Sequence, residues 1–148
     1  MKSANVAFTL CFMLSLFSIA LGQSESTQLY TQDGTPYKIK SVFFGGGSYG
    51  VATAQIEEIK EFLETEVLAN YEIHIHSHTD NIGSKRYNQY LSSMRSETVF
   101  QIVEQLVVPA NQVFIKDHGL ANPEFDNQTY EGRAKNRRVD IVLWPLSI

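Results

Sequence analysis

The strict alternation of apolar and polar residues over Tyr71–Ser77 constrains the fold of this chain more than any other feature. In an extended segment Ile73 and Ile75 share one face, and His74 and His76 point to the other. A strand with a single apolar face is typical of a sheet that is covered on that side only. The sequence therefore predicts a sheet whose helices pack on one face and whose other face stays polar.

Three more segments have strand character, because β-branched and aromatic residues collect between glycine, proline or asparagine. These predicted strands are Tyr37–Phe44, Val113–Lys116 and Val139–Trp144. Combined with the helices described next, they give the order strand-helix-strand-helix-strand-strand. Such an order predicts an α+β fold, a two-layer sandwich in which a mixed sheet carries its helices on one face.

Two stretches have apolar residues at helical spacing. The first predicts a helix from Thr53 or Ala54 to about Leu68. Beyond Gly83 we expect two pieces, a short one over Lys85–Tyr90 and a long one that ends near Val107. Ser92 would then be the N-cap of the long helix, since a serine hydroxyl can accept from the free amides of a first turn.

The first 22 residues resemble a secretory signal, because Lys2 precedes an almost continuous apolar run from Val6 to Leu21 and Gly22 follows it. This run of about 16 residues is shorter than the roughly 20 that a membrane-spanning helix needs. We expect cleavage, with a retained anchor as the alternative. Residues 23–36 are polar and form a predicted N-terminal arm, and residues 37–148 the predicted domain.

Composition narrows the classes of function. The chain has 148 residues, a net charge of −4 and a single cysteine, Cys11, inside the predicted signal. Cleavage would leave no thiol for disulfide or redox chemistry. An acidic chain has no general attraction to nucleic acid or anionic lipid. The remainder fits one domain of ordinary size.

Two opposite charges are the main candidates for a binding site. Asp80 follows the alternating strand, and Arg95 comes fifteen residues later. A carboxylate accepts from an ammonium group, and a guanidinium grips a carboxylate through two parallel hydrogen bonds. With Ser92 as N-cap, Arg95 would lie in a first helical turn, where free amides also favour an anion. This pattern predicts a site for a zwitterion, with no evident catalytic machinery. The alternative is that Asp80 caps the next helix and pairs with Arg95 for structural reasons.

Three ordered blocks carry a resemblance to a known family. They are His78-Thr79-Asp80-x-x-Gly83, Tyr87-Asn88-x-x-Leu91-Ser92-x-x-Arg95 and Asn127-x-Thr129-x-x-Gly132-Arg133-x-x-Asn136-Arg137-Arg138-Val139. From about Val42 to Leu143 the chain resembles the OmpA-like peptidoglycan-binding domain. That domain occurs in outer-membrane porin-like proteins, peptidoglycan-associated lipoproteins and flagellar stator proteins.

The resemblance implies a non-enzymatic domain that binds the peptide stem of peptidoglycan, mainly through meso-diaminopimelate. It assigns the ligand ammonium to Asp80 and the ligand carboxylate to Arg95, and it places Asn88 and Arg137 in the same pocket. Thr79, inside the first block, is counted with them. The implied location is the periplasm, with outer-membrane association through other components. Neither a cofactor nor a metal is implied.

The chain departs from the family pattern after its first strand. The family usually has an acid and then an asparagine soon after the phenylalanine of that strand, whereas here Phe44 is followed by Gly45-Gly46-Gly47. A side-chain contact from this loop is therefore lost. We expect backbone amides to serve instead, or the pocket to be looser.

Other patterns define the alternatives. His74, His76 and His78 share a strand face and suit a transition metal, but no fourth ligand stands nearby in the sequence, so no metal site is predicted. Gly46-x-Ser48-x-Gly50 copies a nucleophile elbow and makes a small hydrolase using Ser48 the enzymatic alternative. Gly45-x-Gly47-x-x-Gly50 fits a dinucleotide fingerprint but lacks its acid partner. A third class is an envelope protein–protein interaction module on the same fold.

Overall fold

The computed structural model describes residues 27–30, 34, 36–106, 108 and 110–146. The predicted signal over residues 1–22 lies outside this part of the chain. Within the predicted arm of residues 23–36, Thr27–Tyr30 form a strand. Among the described residues, no helix combines the length and the apolar character that a membrane crossing requires.

Five strands and three α-helices are formed by the described residues. The strands are β1 (Thr27–Tyr30), β2 (Pro36–Phe43), β3 (Tyr71–His78), β4 (Val113–Gly119) and β5 (Arg138–Pro145). The helices are α1 (Thr53–Glu64), α2 (Lys85–Glu104) and α3 (Tyr130–Asn136), with short 3-10 turns at Leu68–Asn70 and Ala110–Gln112. The sheet has the order β1-β2-β5-β3-β4, in which the β3–β4 pair is parallel and the other pairs are antiparallel. The predicted α+β class with a mixed sheet is confirmed, and β1 and α3 extend the predicted order.

One face of the sheet forms the core with α1 and α2. Ile73 and Ile75 of β3 are fully buried, as their alternation predicts, and they lie beside Leu143 and Ile141 of β5. Apolar residues of both helices complete this core, among them Ile59, Leu63, Val99 and Val103. Each such side chain contributes roughly 1.5–3 kcal/mol through burial. The core therefore lies on one side of the sheet. The other face, which carries His74 and His76, is not covered by α1 or α2.

The long helix α2 is continuous, so the prediction of two pieces with Ser92 as an N-cap is wrong. Ser84 is the N-cap, and its hydroxyl accepts from the amide of Tyr87 at 3.1 Å. Ser92 lies inside α2 and points at the sheet, where its hydroxyl donates to the Ser77 carbonyl at 3.1 Å. No proline or glycine interrupts the region, so a serine that bonds to the neighbouring strands is compatible with an unbroken helix. Arg95 consequently lies in the middle of α2 and gains nothing from helix-terminal amides.

The third sequence block builds a short helix that the apolar pattern did not predict. Thr129 caps α3, and its hydroxyl accepts from the amide of Gly132 at 2.9 Å. A Cβ atom on Gly132 would lie 1.9 Å from the Asp126 carbonyl oxygen, so only glycine fits at this approach. Asn136 is buried and bonds to both the amide and the carbonyl of Phe125. These contacts fix the loop before α3. Arg137 then lies between the end of α3 and the start of β5.

Candidate binding site at the end of strand β3

Four segments meet where β3 ends. Thr79 and Asp80 follow β3, and the first turns of α2 come shortly after them. Arg137 lies between α3 and β5, and its carbonyl accepts from the amide of Phe44 at 2.9 Å, which brings the glycine-rich loop after β2 to the same place. The predicted site residues are therefore brought together by elements that are far apart in the sequence.

Asp80 is almost buried, with 6% of its surface exposed, and it is paired. One carboxylate oxygen accepts from the amide of Ile82 at 3.1 Å, and the other accepts from Nη1 of Arg137 at 3.1 Å. Arg137 also donates from Nε to the Phe44 carbonyl at 3.1 Å. Because Ser84 caps α2, the alternative of Asp80 as the helix cap is wrong. The ion-pair partner of Asp80 in this structure is Arg137.

Arg95 has no exposed surface, and backbone carbonyls surround its guanidinium group. Nε donates to Ser48 at 2.9 Å, Nη1 to His78 at 3.1 Å and Nη2 to Gly45 at 3.0 Å. The guanidinium carbon also lies 5.0 Å from the ring centroid of Phe44, within cation–π distance. Arg95 thus joins the glycine-rich loop to the end of β3.

The charges at this site do not balance. Burial lowers the pKa of Arg95 to about 10, with Asp80 opposing and Arg137 adding to this change. Arg95 therefore stays a cation at neutral pH. Among the described residues no carboxylate lies within ion-pair distance of Arg95, while Asp80 is held by Arg137. Asp80, Arg95 and Arg137 together therefore carry one excess positive charge.

Asn88 and Thr79 are both buried near the end of β3. Asn88 is 1% exposed and donates from its amide nitrogen to the carbonyls of Ile82 and Ser84. Its Oδ1 is buried without a hydrogen-bond partner in the described part of the chain. The amide of Thr79 donates to the Gly119 carbonyl at 2.8 Å, and its hydroxyl donates to the carbonyl of Asp80 at 3.0 Å. Asn88 therefore has one buried acceptor atom without a partner in the described part of the chain.

Tyr87 is a neighbour of the site that the sequence prediction did not include. A Cβ atom on Gly83 would lie 3.0 Å from its ring, and one on Gly47 would lie 3.2 Å from its hydroxyl oxygen. Both glycines have positive φ, +98° and +69°, which glycine adopts without strain. Tyr87 therefore packs between the turn after β3 and the glycine-rich loop. Its position at the start of the second sequence block is the feature from which Tyr87 could have been predicted as a neighbour of the site.

The geometry supports neither a metal site nor a hydrolase that uses Ser48. Among the described residues no group of three metal-ligating side chains is arranged to hold an ion. The Ser48 hydroxyl accepts from the Gly50 amide at 3.2 Å. In the described part of the chain no histidine lies within hydrogen-bond distance of that hydroxyl. A serine without a nearby base is not activated as a nucleophile.

A sequence model described as the OmpA family matches residues 43–137, a range that contains Asp80, Arg95 and Arg137. This chain belongs to the OmpA family. Outer-membrane lipoprotein YfiB of Pseudomonas aeruginosa is 38% identical over 71 residues, which are 48% of this chain and 42% of that protein. Peptidoglycan-binding protein ArfA of Mycobacterium tuberculosis is 41% identical over 69 residues, 47% of this chain and 21% of ArfA. The chain thus spans less than half the length of these relatives.

The fold is also found in a solved structure. The peptidoglycan-associated lipoprotein from Burkholderia pseudomallei superimposes with a TM-score of 0.64 at 27% identity, covering 70% of this chain and 88% of the lipoprotein. This OmpA-family likeness agrees with the one expected from the three sequence blocks. The loop Gly45-Gly46-Gly47 lies inside the matched range, at the place where Arg95 binds backbone carbonyls.

Proposed function

We propose that this OmpA-family domain binds peptidoglycan without catalysis and holds the head group of a diaminopimelate residue in the peptide stem. Two similar proteins bear names that state such an association, a peptidoglycan-binding protein and a peptidoglycan-associated lipoprotein. Similarity to an outer-membrane lipoprotein supports a location in the periplasm near the outer membrane. The observation that carries the proposal is that one carboxylate and two guanidinium groups, those of Asp80, Arg95 and Arg137, lie together at the end of β3.

An ammonium and a carboxylate on one carbon complement this combination of one anionic acceptor and two cationic donors. The ammonium is attracted to Asp80, whose carboxylate has lone pairs beyond those used by Ile82 and Arg137. The free Oδ1 of Asn88 offers a second acceptor. The ligand carboxylate neutralises the excess positive charge of the two guanidinium groups. A lone anion would match the excess positive charge but would leave Asp80 and Oδ1 of Asn88 without a new donor, so a zwitterion uses more of the site.

Arg95 is covered, so the ligand carboxylate must reach it by replacing a carbonyl. Gly45 and Ser48 supply two of the three carbonyls, and both belong to an exposed loop of small residues. A carboxylate is a stronger acceptor for a guanidinium than a neutral carbonyl. We infer that the loop gives up one or both of these hydrogen bonds when the ligand binds.

The expected affinity per domain is modest. A hydrogen bond to a charged group contributes roughly 1.5–3 kcal/mol net, and the ligand has to replace bonds that already exist. Peptidoglycan offers many identical stems on one polymer, so several domains on one surface bind more tightly than a single domain does. A weak single site is therefore compatible with firm association.

Co-sedimentation with purified sacculi tests the proposal. We expect Asp80→Asn to bind at least tenfold more weakly than wild type, because the amide lacks the negative charge that forms an ion pair with an ammonium. Glu97→Gln removes the same charge from an exposed position on α2 and should bind like wild type. Free diaminopimelate should release the wild-type protein from sacculi.

Circular dichroism must show that Asp80→Asn is folded, since Asp80 also pairs with Arg137. The release by free diaminopimelate does not depend on any variant. If Asp80→Asn is folded and sediments like Glu97→Gln, and free diaminopimelate releases nothing, the assigned site is wrong.

A further inference from the structure

A groove lies on the face of the sheet that α1 and α2 do not cover. Its volume is about 460 Å³, within the range of roughly 300–1,000 Å³ that is usual for small-molecule sites. We call it the open-face groove, and the residues that define it are Tyr37, Glu72, His74, His76, Asp140 and Trp144. None of these six residues is a predicted member of the site at Asp80. The groove adjoins that site through His78, whose side chain lines the groove and whose carbonyl accepts from Arg95.

One end of the open-face groove presents flat rings. Trp144 is 40% exposed, and its ring centroid lies 5.3 Å from that of Tyr37, with 30° between the two planes. On the neighbouring strands the His74 ring stacks on Phe114 with a centroid distance of 5.0 Å. Rings of this kind offer an apolar surface to the face of a ligand ring at little entropic cost. A ligand with one flat apolar face therefore fits this end.

Polar groups border the rings. Strand register places Glu72 beside Trp144, and the Glu72 carboxylate lies 2.9 Å from Nε2 of His74. These two side chains remain 37% and 31% exposed. Further along, Nδ1 of His76 lies 3.0 Å from Nε2 of His118. A purely apolar partner would take these groups from water without replacing their hydrogen bonds, which is unfavourable. The ligand must carry hydroxyl or amide groups as well.

The groove has no strong preference for a charged ligand. Asp140 accepts from Ser41 at 2.6 Å and from Arg138 at 2.9 Å, so its charge is compensated. Arg138 is 5% exposed and also pairs with Glu124. Glu72 lies within hydrogen-bond distance of His74, which is a charged partner only when it is protonated, and a sugar hydroxyl can donate to the same carboxylate. A neutral ring that carries hydroxyl groups and one apolar face meets all these conditions, and this is the chemistry of a pyranose sugar.

We propose that the open-face groove is a glycan subsite for N-acetylated sugar rings, namely the sugar strand of the polymer whose stem binds at Asp80. This inference rests on the proposed function. Ile39 and Val142 line the same groove and offer an apolar contact for an acetyl methyl group. The row of β3 side chains from Glu72 to His78 is about 20 Å long, at roughly 3.3 Å per residue. It ends two residues before Asp80, so one polymer can occupy both sites.

Two linked sites on one polymer increase the effective concentration at the second site. The glycan subsite therefore does not need to bind tightly by itself. It would orient the sugar strand along the sheet while the stem enters the site at Asp80. The consequence for measurement is that a peptide-free glycan should bind in the millimolar range, and independently of Asp80.

Titration of the full chain with a β-1,4-linked N-acetylglucosamine hexamer tests the glycan subsite. Trp144 is the only tryptophan of the chain, so its fluorescence and its indole N–H resonance report on this groove alone. We expect the signal of wild type to saturate with added hexamer. We expect Tyr37→Ala to bind the hexamer with a dissociation constant at least fivefold higher. Tyr90→Ala removes an exposed aromatic ring of α2 that does not line the groove, and it should behave like wild type.

Two further arms separate this inference from the proposed function. Asp80→Asn should bind the hexamer like wild type, whereas Trp144→Ala, followed by calorimetry, should lose the hexamer but keep diaminopimelate. If the hexamer gives no saturable change in wild type while diaminopimelate still binds, the glycan subsite is wrong and the stem site stands. Equal binding of cellohexaose, which lacks N-acetyl groups, would overturn the specificity for N-acetylated sugars.

Discussion

Replacing Arg95 by methionine is expected to lower the free energy of unfolding by about 3–5 kcal/mol, because a buried acceptor that loses its donor costs roughly 1–3 kcal/mol and three acceptors are affected. Three carbonyls, those of Gly45, Ser48 and His78, would lose their donor. The site of Arg95 is fully buried, so water cannot readily replace the guanidinium group. Urea unfolding followed by circular dichroism measures this change.

Arg86→Met is the matched control, because Arg86 lies on the same helix but is exposed, and it should change stability by less than about 0.5 kcal/mol. Arg95→Lys retains the charge but not the planar fork that reaches three carbonyls. We expect it to be more stable than Arg95→Met and still defective in binding to sacculi. Equal stability of Arg95→Met and Arg86→Met would show that the buried hydrogen bonds do not hold the loop.

Acidification from pH 7 to pH 5 is expected to destabilise the fold through the imidazoles of the open sheet face. Burial lowers the pKa of His78 to about 4, with Arg138 adding to the effect and Asp140 opposing it. Burial also lowers the pKa of His76 and of His118. In the unfolded chain a histidine titrates near pH 6.5. The unfolded state therefore binds more protons than the folded state in this window, and stability falls as pH falls.

For His78 alone, the two pKa values correspond to a loss of about 2 kcal/mol between pH 7 and pH 5. His76 and His118 act in the same direction. Urea unfolding at pH 7, 6 and 5 measures the slope, and NMR titration of the imidazole resonances measures the pKa values directly. His78→Gln should flatten the slope. A free energy of unfolding that is constant across these three pH values would contradict the burial of these imidazoles in their neutral form.

The sequence predicted the features of the fold that depend on simple periodicity. The alternation at Ile73 and Ile75 predicted a strand covered on one face, and both residues are fully buried in the core. The apolar spacing around Ile59 and Leu63 predicted the first helix in the same way. Burial of apolar area dominates these elements, and its pattern is readable in a single chain.

Features set by tertiary contacts could not be predicted from local patterns. Ser92 has the chemistry of an N-cap, but in the structure its hydroxyl bonds to Ser77 and to the amide of Gly119. The short helix α3 depends on the close approach of Gly132 to the Asp126 carbonyl. Both contacts join segments whose distance in space the sequence does not encode locally.

The sequence predicted which residues lie near the end of β3, but it did not predict how their charged groups pair. Asp80, Arg95, Asn88, Arg137 and Thr79 lie around the end of β3, yet Asp80 pairs with Arg137, and Arg95 holds the glycine-rich loop. The choice between two arginines depends on which guanidinium group faces the carboxylate, and a motif does not specify this. Whether these residues bind a zwitterion stays a prediction.

The central claim is that Asp80 and the two arginines hold the zwitterionic end of a cell-wall diamino acid. NMR titration with a stem tripeptide that ends in diaminopimelate, compared with the same peptide ending in lysine, tests this claim most directly. The two side chains differ by one carboxylate. We predict saturable shifts of the Arg95 Nε–H resonance and of the Gly45–Gly47 amides with diaminopimelate, and at least tenfold weaker binding with lysine. Equal binding of the two peptides, or shifts confined to residues outside this site, would contradict the claim.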